Sequence, residues 1–256
     1  MDTVETIAAH CDARRAEQLD FLITLCDQNS FSAHKPGVDR VGAMVTQRLA
    51  PLVSEHEIIR RSDFGDHHVL RMGPRERVIY LVGHMDTVFP PDHPFQRCRV
   101  EGDWLHGPGT GDMKGGLAVF VFALEALAAA GRLGGLGITL LLNSDEERGS
   151  ITSQPLFERE REHAAACLCG ECAGPEGELV VSRNGKLGLR IESYGAARHV
   201  GRQTHEKSSA VLEIARRVVA LEALNAAYPG VSVNVGRIEG GLGPATVAAR
   251  ATALGE

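Results

Sequence analysis

The chain has 256 residues, of which 43% are hydrophobic and 23% charged, and its net charge is −6. This is the balance of a globular protein with one large or two modest domains. Without a basic stripe or an apolar run near the roughly 20 residues that span a bilayer, neither nucleic acid nor a membrane is expected as a partner.

The first residues, "MDTVETIAAHCDARRAEQLDFLITLC", are mixed in charge and lack the apolar stretch of a secretory signal. The six cysteines therefore read as free thiols and the location as cytoplasmic. Apolar positions recur at helical spacing over residues 4–27 and 38–52. "HHVLRM" (67–72) and "VIYLVG" (78–83) read as strands, the second apolar on both faces like a strand buried beneath helices. "GGLAVFVFALEALAAAG" (115–131) is a helix closed by glycine, and "GITLLLN" (137–143) is another buried strand. A helix over about 152–163 precedes a short strand at 165–169, also expected to be buried. Strands alternating with helices predict an α/β fold, a mixed and largely parallel sheet with flanking helices.

The texture changes after about residue 182. "GKLGLRIESYG" (185–195), "VSVNVGRIEG" (231–240) and "TVAARATAL" (246–254) alternate like half-exposed strands. "SSAVLEIARRVVALEALNA" (208–226) is an amphipathic helix. This β-α-β-β run reads as the start of a small α+β domain, with a first domain over 1–183 and a second over 184–256.

"LLNSDEERGS" (141–150) ends an apolar strand on Asp145, Glu146 and Glu147. A solvated strand end or an acidic helix start accounts for such a cluster taken alone. Three other segments change its meaning. "VGHMDTV" puts His84 and Asp86 just past a buried strand, "GPGTGDMKGG" puts Asp112 in a glycine-rich loop before a helix, and "LCGECAG" puts Glu171 after a third strand. Ligands of open α/β sheets gather at the carboxyl ends of strands. One histidine and several carboxylates at that edge suit metal cations, which neutralise the crowded charge. A phosphate loop does not fit, because Lys114 is followed by Gly115 where that motif needs Ser or Thr. Cys167, Cys169 and Cys172 form C-x-C-x-x-C, but no second cysteine pair or matching histidine follows, and free cysteine packs well in a strand.

The segments "GHMDTVFP", "GTGDMKGG", "NSDEERGS" and the acid in "CGECAG" resemble the M20 family of co-catalytic metallopeptidases, most of all its carboxypeptidase G2-like branch. That family also holds aminoacylases, acetylornithine deacetylases and succinyl-diaminopimelate desuccinylases. The resemblance implies a zinc-peptidase-like catalytic domain followed by a lid and dimerisation domain. It implies two Zn²⁺ ions, replaceable by Co²⁺ or Mn²⁺, and two-metal hydrolysis of an amide bond in a small peptide or N-acyl amino acid. By the same resemblance His84 and Glu171 bind one metal, Asp112 bridges, Glu147 binds the other, Asp86 orients His84, and Glu146 is the general base. His199 in "GAARHVGR" matches a lid histidine that faces the developing oxyanion, often across a homodimer. A cis peptide after Asp112 is implied as well.

The pattern also breaks. The family's further histidine ligand has no counterpart here: the only histidine after His199 is His205, at the start of the lid helix and read as a surface residue. After "GRIEGG" the family has an asparagine, which often helps bind substrate, followed by a hydrophobic residue and a proline; in "LGPATVAARA" Ala245 takes the place of that asparagine and Ala248 that of the proline. The chain is therefore expected to end within the lid domain, as a fragment or a degenerate member. The rival to the hydrolase reading is an impaired remnant that binds one metal or only dimerises.

Overall fold

The computed structural model describes residues 3–174, 176–202 and 207–256. Two compact units emerge, Met1–Leu179 and Val180–Glu256.

The first unit opens with helices α1 (Thr3–Ala13), α2 (Arg15–Asp27) and α3 (Lys35–Leu49). The single helical stretch expected over 4–27 is thus two helices that break at Arg14. Strands β1 (Glu55–Ile59), β2 (His67–Met72) and β3 (Val78–His84) follow, then a hairpin of β4 (Arg99–Glu101) and β5 (Trp104–His106). Helix α4 (Lys114–Ala129), β6 (Gly137–Asn143), α5 (Gln154–Glu160) and β7 (Ala164–Cys169) complete the unit. Gly131, at φ 66°, closes α4, where the Arg132 amide reaches back to the Leu127 carbonyl.

The main sheet has the order β1-β2-β6-β3-β7. β3 runs parallel to both β6 and β7, while β1 and β2 are antiparallel additions on the far side of β6. The expected mixed, largely parallel α/β sheet is what the chain forms. Alternate strand residues serve two cores. Leu70, Met72, Leu81, Ile138, Leu140 and Leu142 pack with the apolar faces of α2, α3 and α4. Val69, Val78, Tyr80 and Leu141 pack on the other side with Leu156 of α5. All seven residues of β6 are buried. β7 differs from expectation: every residue is exposed, including Cys167 and Cys169. It pairs only with β3 among the described residues, so an apolar sequence sits at a sheet edge with little to cover it.

In the second unit, β8 (Leu189–Tyr194), α6 (Ala210–Glu222), α7 (Leu224–Ala227), β9 (Arg237–Gly240) and β10 (Arg250–Gly255) form an antiparallel sheet of order β8-β10-β9 with α6 on one face. The Ser209 hydroxyl caps α6 by accepting from the Leu212 amide. The core is small: Ala210, Ile214, Ala248, Ala251 and Ala253. Ala248, the second of the two alanines singled out in "LGPATVAARA", is packed into it. His205 lies outside the described residues. Among those described, no helix is long and apolar enough to cross a membrane.

Candidate metal centre

Because β3, β6 and β7 are parallel, their carboxyl ends share one edge. β2 is antiparallel to β6, so its first residue, His67, comes to the same edge. The loops leaving this edge bring His84, Asp112, Glu146, Glu147 and Glu171 together. His84 Nε2 lies 2.8 Å from Asp112 Oδ1, 3.2 Å from Glu171 Oε1 and 3.9 Å from Glu146 Oε2. Two sets of potential ligand atoms lie within 4.8 Å of one another, His84 with Glu146 and Glu171, and His84 with Asp112 and Glu147. His84 is 1% exposed, whereas the carboxylates face outward, with Asp112 at 61% and Glu171 at 26%.

Local features fix these loops. The Asp112–Met113 peptide is cis, as the resemblance implied. The first turn of α4 lies so close to the end of β7 that a Cβ on Gly116 would overlap the Gly170 carbonyl, which brings the Asp112 loop beside Glu171. Asp86 is fully buried and does more than face His84. Its carbonyl is 3.0 Å from His84 Nδ1, and its carboxylate is 3.4 Å away. That carboxylate accepts from the Ser32 hydroxyl at 2.7 Å and from the amides of Glu146 and Glu147, each at 3.3 Å. Asp86 thus ties the histidine strand to the acidic loop.

Asp145, the acid without a role in the sequence reading, is fully buried. It accepts from the Thr152 amide and hydroxyl at 2.6 and 2.8 Å and from the Ser153 hydroxyl at 2.7 Å. Burial raises its pKa, and these donors outweigh that and hold it below the usual value. The next two residues behave oppositely. Burial and then the Asp112 charge push Glu147 up to about 7, and burial raises Glu146 as well. For His84, burial opposes the charge, but the Asp86 and Glu171 carboxylates prevail and lift it to about 11. Carboxylates packed around one imidazolium are an arrangement in which a cation is strongly favoured.

Six of the seven expected site residues meet at this edge. The seventh, His199, belongs to the second unit, where it is exposed and its Nδ1 accepts from the Gly201 amide at 3.2 Å. Ser32 and His67 were missed, and neither carries a local pattern that marks it. Asp145 was legible as part of the acidic run, but its partners Thr152 and Ser153 were not.

The model of the peptidase family M20/M25/M40 matches residues 80–249, the stretch that carries His84, Asp86, Asp112, Glu146, Glu147 and Glu171. The chain belongs to that family. It is 30% identical over 253 residues to succinyl-diaminopimelate desuccinylase from Alkalilimnicola ehrlichii, covering 91% of this chain and 65% of the relative. It is 38% identical over 129 residues to carboxypeptidase G2 from a Pseudomonas species, covering 48% of this chain and 30% of the relative. The chain thus spans less than two thirds of the length of these curated relatives. A tripeptidase structure from Staphylococcus aureus matches with a TM-score of 0.72 at 19% identity, covering 93% of this chain and 64% of that one. An aminopeptidase structure from Bacillus cereus matches with a TM-score of 0.69 at 21% identity, covering 93% and 65%. Both show that this M20/M25/M40 member has the α/β fold of those peptidases.

Proposed function

We propose that the chain carries the metal centre of a hydrolase that cleaves the amide bond of an N-acyl or peptidyl amino acid. The carrying observation is one imidazole and four carboxylates gathered at one sheet edge in a member of this family. Nitrogen and oxygen donors within 4.8 Å of one another suit a divalent ion, with Zn²⁺ favoured and Co²⁺ or Mn²⁺ as substitutes. His84, Asp112 and Glu171 would hold one ion, and Asp112 with Glu147 a second. When bound, such ions acidify a water and polarise the scissile carbonyl.

Glu146 is the carboxylate outside that ligand set. Its raised pKa suits a group that takes a proton from water and passes it to the leaving amine. Asp86 keeps Glu146 and Glu147 in place through their backbone amides. The oxyanion role that the resemblance gives His199 belongs to the same proposal. The names of two relatives, succinyl-diaminopimelate desuccinylase and carboxypeptidase G2, support the substrate class.

Both potential donor sets use His84, and its Nδ1 is turned to Asp86. One imidazole nitrogen serves one ion, so we infer one tightly held ion and a second held more weakly by carboxylates. This favours the impaired, single-metal form as the second reading. A homodimer through the second unit and a cytoplasmic location complete the proposal. Exposed Tyr194, Val219 and Leu242 support the former.

Metal analysis after dialysis against Zn²⁺ tests the centre, with hydrolysis of N-succinyl amino acids and dipeptides as the second readout. We expect one retained ion per chain, lost in His84→Ala, and slower turnover with unchanged metal content in His199→Ala. A folded native chain that retains no metal overturns the proposal.

A further inference from the structure

His67 is fully buried at the start of β2, beside the point where the acidic loop leaves β6. Its Nδ1 faces the Ser144 amide at 3.2 Å and the Ser144 hydroxyl at 3.1 Å. The Ser144 hydroxyl spends its hydrogen on the Gly65 carbonyl at 2.5 Å. On the other side, His67 Nε2 lies 3.0 Å from the Thr152 hydroxyl, which donates to Asp145 at 2.8 Å. These directions leave one consistent set of protons. The Ser144 N–H donates to Nδ1, the Nε2–H donates to Thr152, and Thr152 donates to Asp145. The ring is neutral with its proton on Nε2, and it joins the first residue of the loop to the residue where the loop returns.

Between those two points the chain turns sharply. Gly149 and Ser150 are both left-handed, at φ 88° and 54°, and the Ser150 amide donates to the Asp145 carbonyl at 2.8 Å. A non-glycine residue in that region persists only when its surroundings hold it there. Glu146 and Glu147 project from this span.

We propose that His67 is a positioning residue that clamps the two ends of the acidic loop, at Ser144 and Thr152, and so fixes the span from which Glu146 and Glu147 face the metal centre. The part of this that concerns metal rests on the proposed function above; the clamp itself does not. The imidazole touches neither a proposed ligand nor a substrate. It acts through one backbone amide and one hydroxyl, whose loss would let the two glutamates spread over many directions.

The test has two readouts. Hydrogen exchange of the metal-free chain is expected to quicken over residues 144–153 in His67→Leu by roughly tenfold or more, with β3 and β6 unchanged. Co²⁺ titration, followed by its visible absorption, is expected to show affinity falling about 10–100-fold in the same variant with an altered spectrum. His67→Asn keeps an acceptor toward Ser144 and should restore most of the protection near residue 144 while leaving the Thr152 end open. Should His67→Leu fail to fold, His67→Asn and His67→Gln carry the test, each releasing one end of the loop. Native exchange over 144–153 in folded variants overturns the clamp. Faster exchange with native Co²⁺ affinity and spectrum overturns the positioning role. If the native chain binds no Co²⁺, the proposed function falls, and the exchange data still decide the clamp.

Discussion

Strands β6 and β7 make an instructive pair. Both are short apolar sequences, "GITLLLN" and "AAACLC", both run parallel to β3, and each delivers acids to the same edge. β6 is buried along its whole length, and β7 is exposed along its whole length. Composition alone does not separate them; position in the sheet does. A strand between two neighbours and two layers of helices is covered on every side, whereas a strand at the edge keeps whatever its surroundings leave open. The acids at this edge therefore follow strands that are covered to different degrees. Glu146 and Glu147 leave a strand locked in the core through a loop tied by Asp86, Asp145 and His67. Glu171 follows an open edge, steadied by the approach of Gly116 to Gly170.

The sharpest way to break this contrast is to truncate matching leucines. Leu140→Ala in β6 removes a fully buried side chain and is expected to cost about 2–5 kcal/mol in denaturant unfolding. Leu168→Ala in β7, 54% exposed, is expected to cost less than about 1 kcal/mol. Equal losses would mean that β7 is covered in solution.

A second measurement uses acid. His68 on β2 is buried with Nε2 unpartnered and Nδ1 3.0 Å from His56. Burial, then the neighbouring His56, lowers its pKa from 6.5 to about 4. The unfolded chain takes up the proton first, so stability is whole above about 6.5 and drains away as pH falls toward 4. The loss from this residue is on the order of 2–3 kcal/mol. His68→Gln is expected to flatten that interval of the unfolding profile, and an unchanged slope would refute the assignment.

The smallest effect sharpens the contrast without touching the core. Cys167, Cys169 and Cys172 are exposed, while Cys26 is fully buried with its thiol pushed up to about 12 by burial. Iodoacetamide at neutral pH should label the first three in the native chain and spare Cys26 until unfolding, as read by peptide mass. The unfolding free energy should move by less than about 0.5 kcal/mol. Early labelling of Cys26 would show that the α2 end is open.

How much of this was legible varies by residue. His84, Asp86, Asp112, Glu146, Glu147 and Glu171 could be found because each stands beside a strand end or in a glycine-rich loop, and parallel strands end at one edge. The hairpin β4–β5 was overlooked although "EGD" at its turn is a readable signal, with Gly102 at φ 59°. Ser32 lies 54 positions from Asp86, and His67 lies 77 from Ser144; no local pattern links partners so far apart.

By itself, then, the sequence determined the α/β class, the order β2, β3, α4, β6, α5 and β7 of the elements that carry the site, and the chemical types held at the strand ends. Apolar periodicity and local turn chemistry are short-range properties, written within a few residues. Only the tertiary structure decided that one apolar strand is core and another is edge. It alone assigned the three adjacent acids their different fates: Asp145 turned inward to donors from Asn143, Thr152 and Ser153, and Glu146 and Glu147 turned outward beside His84. Burial and hydrogen bonding depend on what lies across the sheet, and strand pairing settles that between residues far apart in the chain.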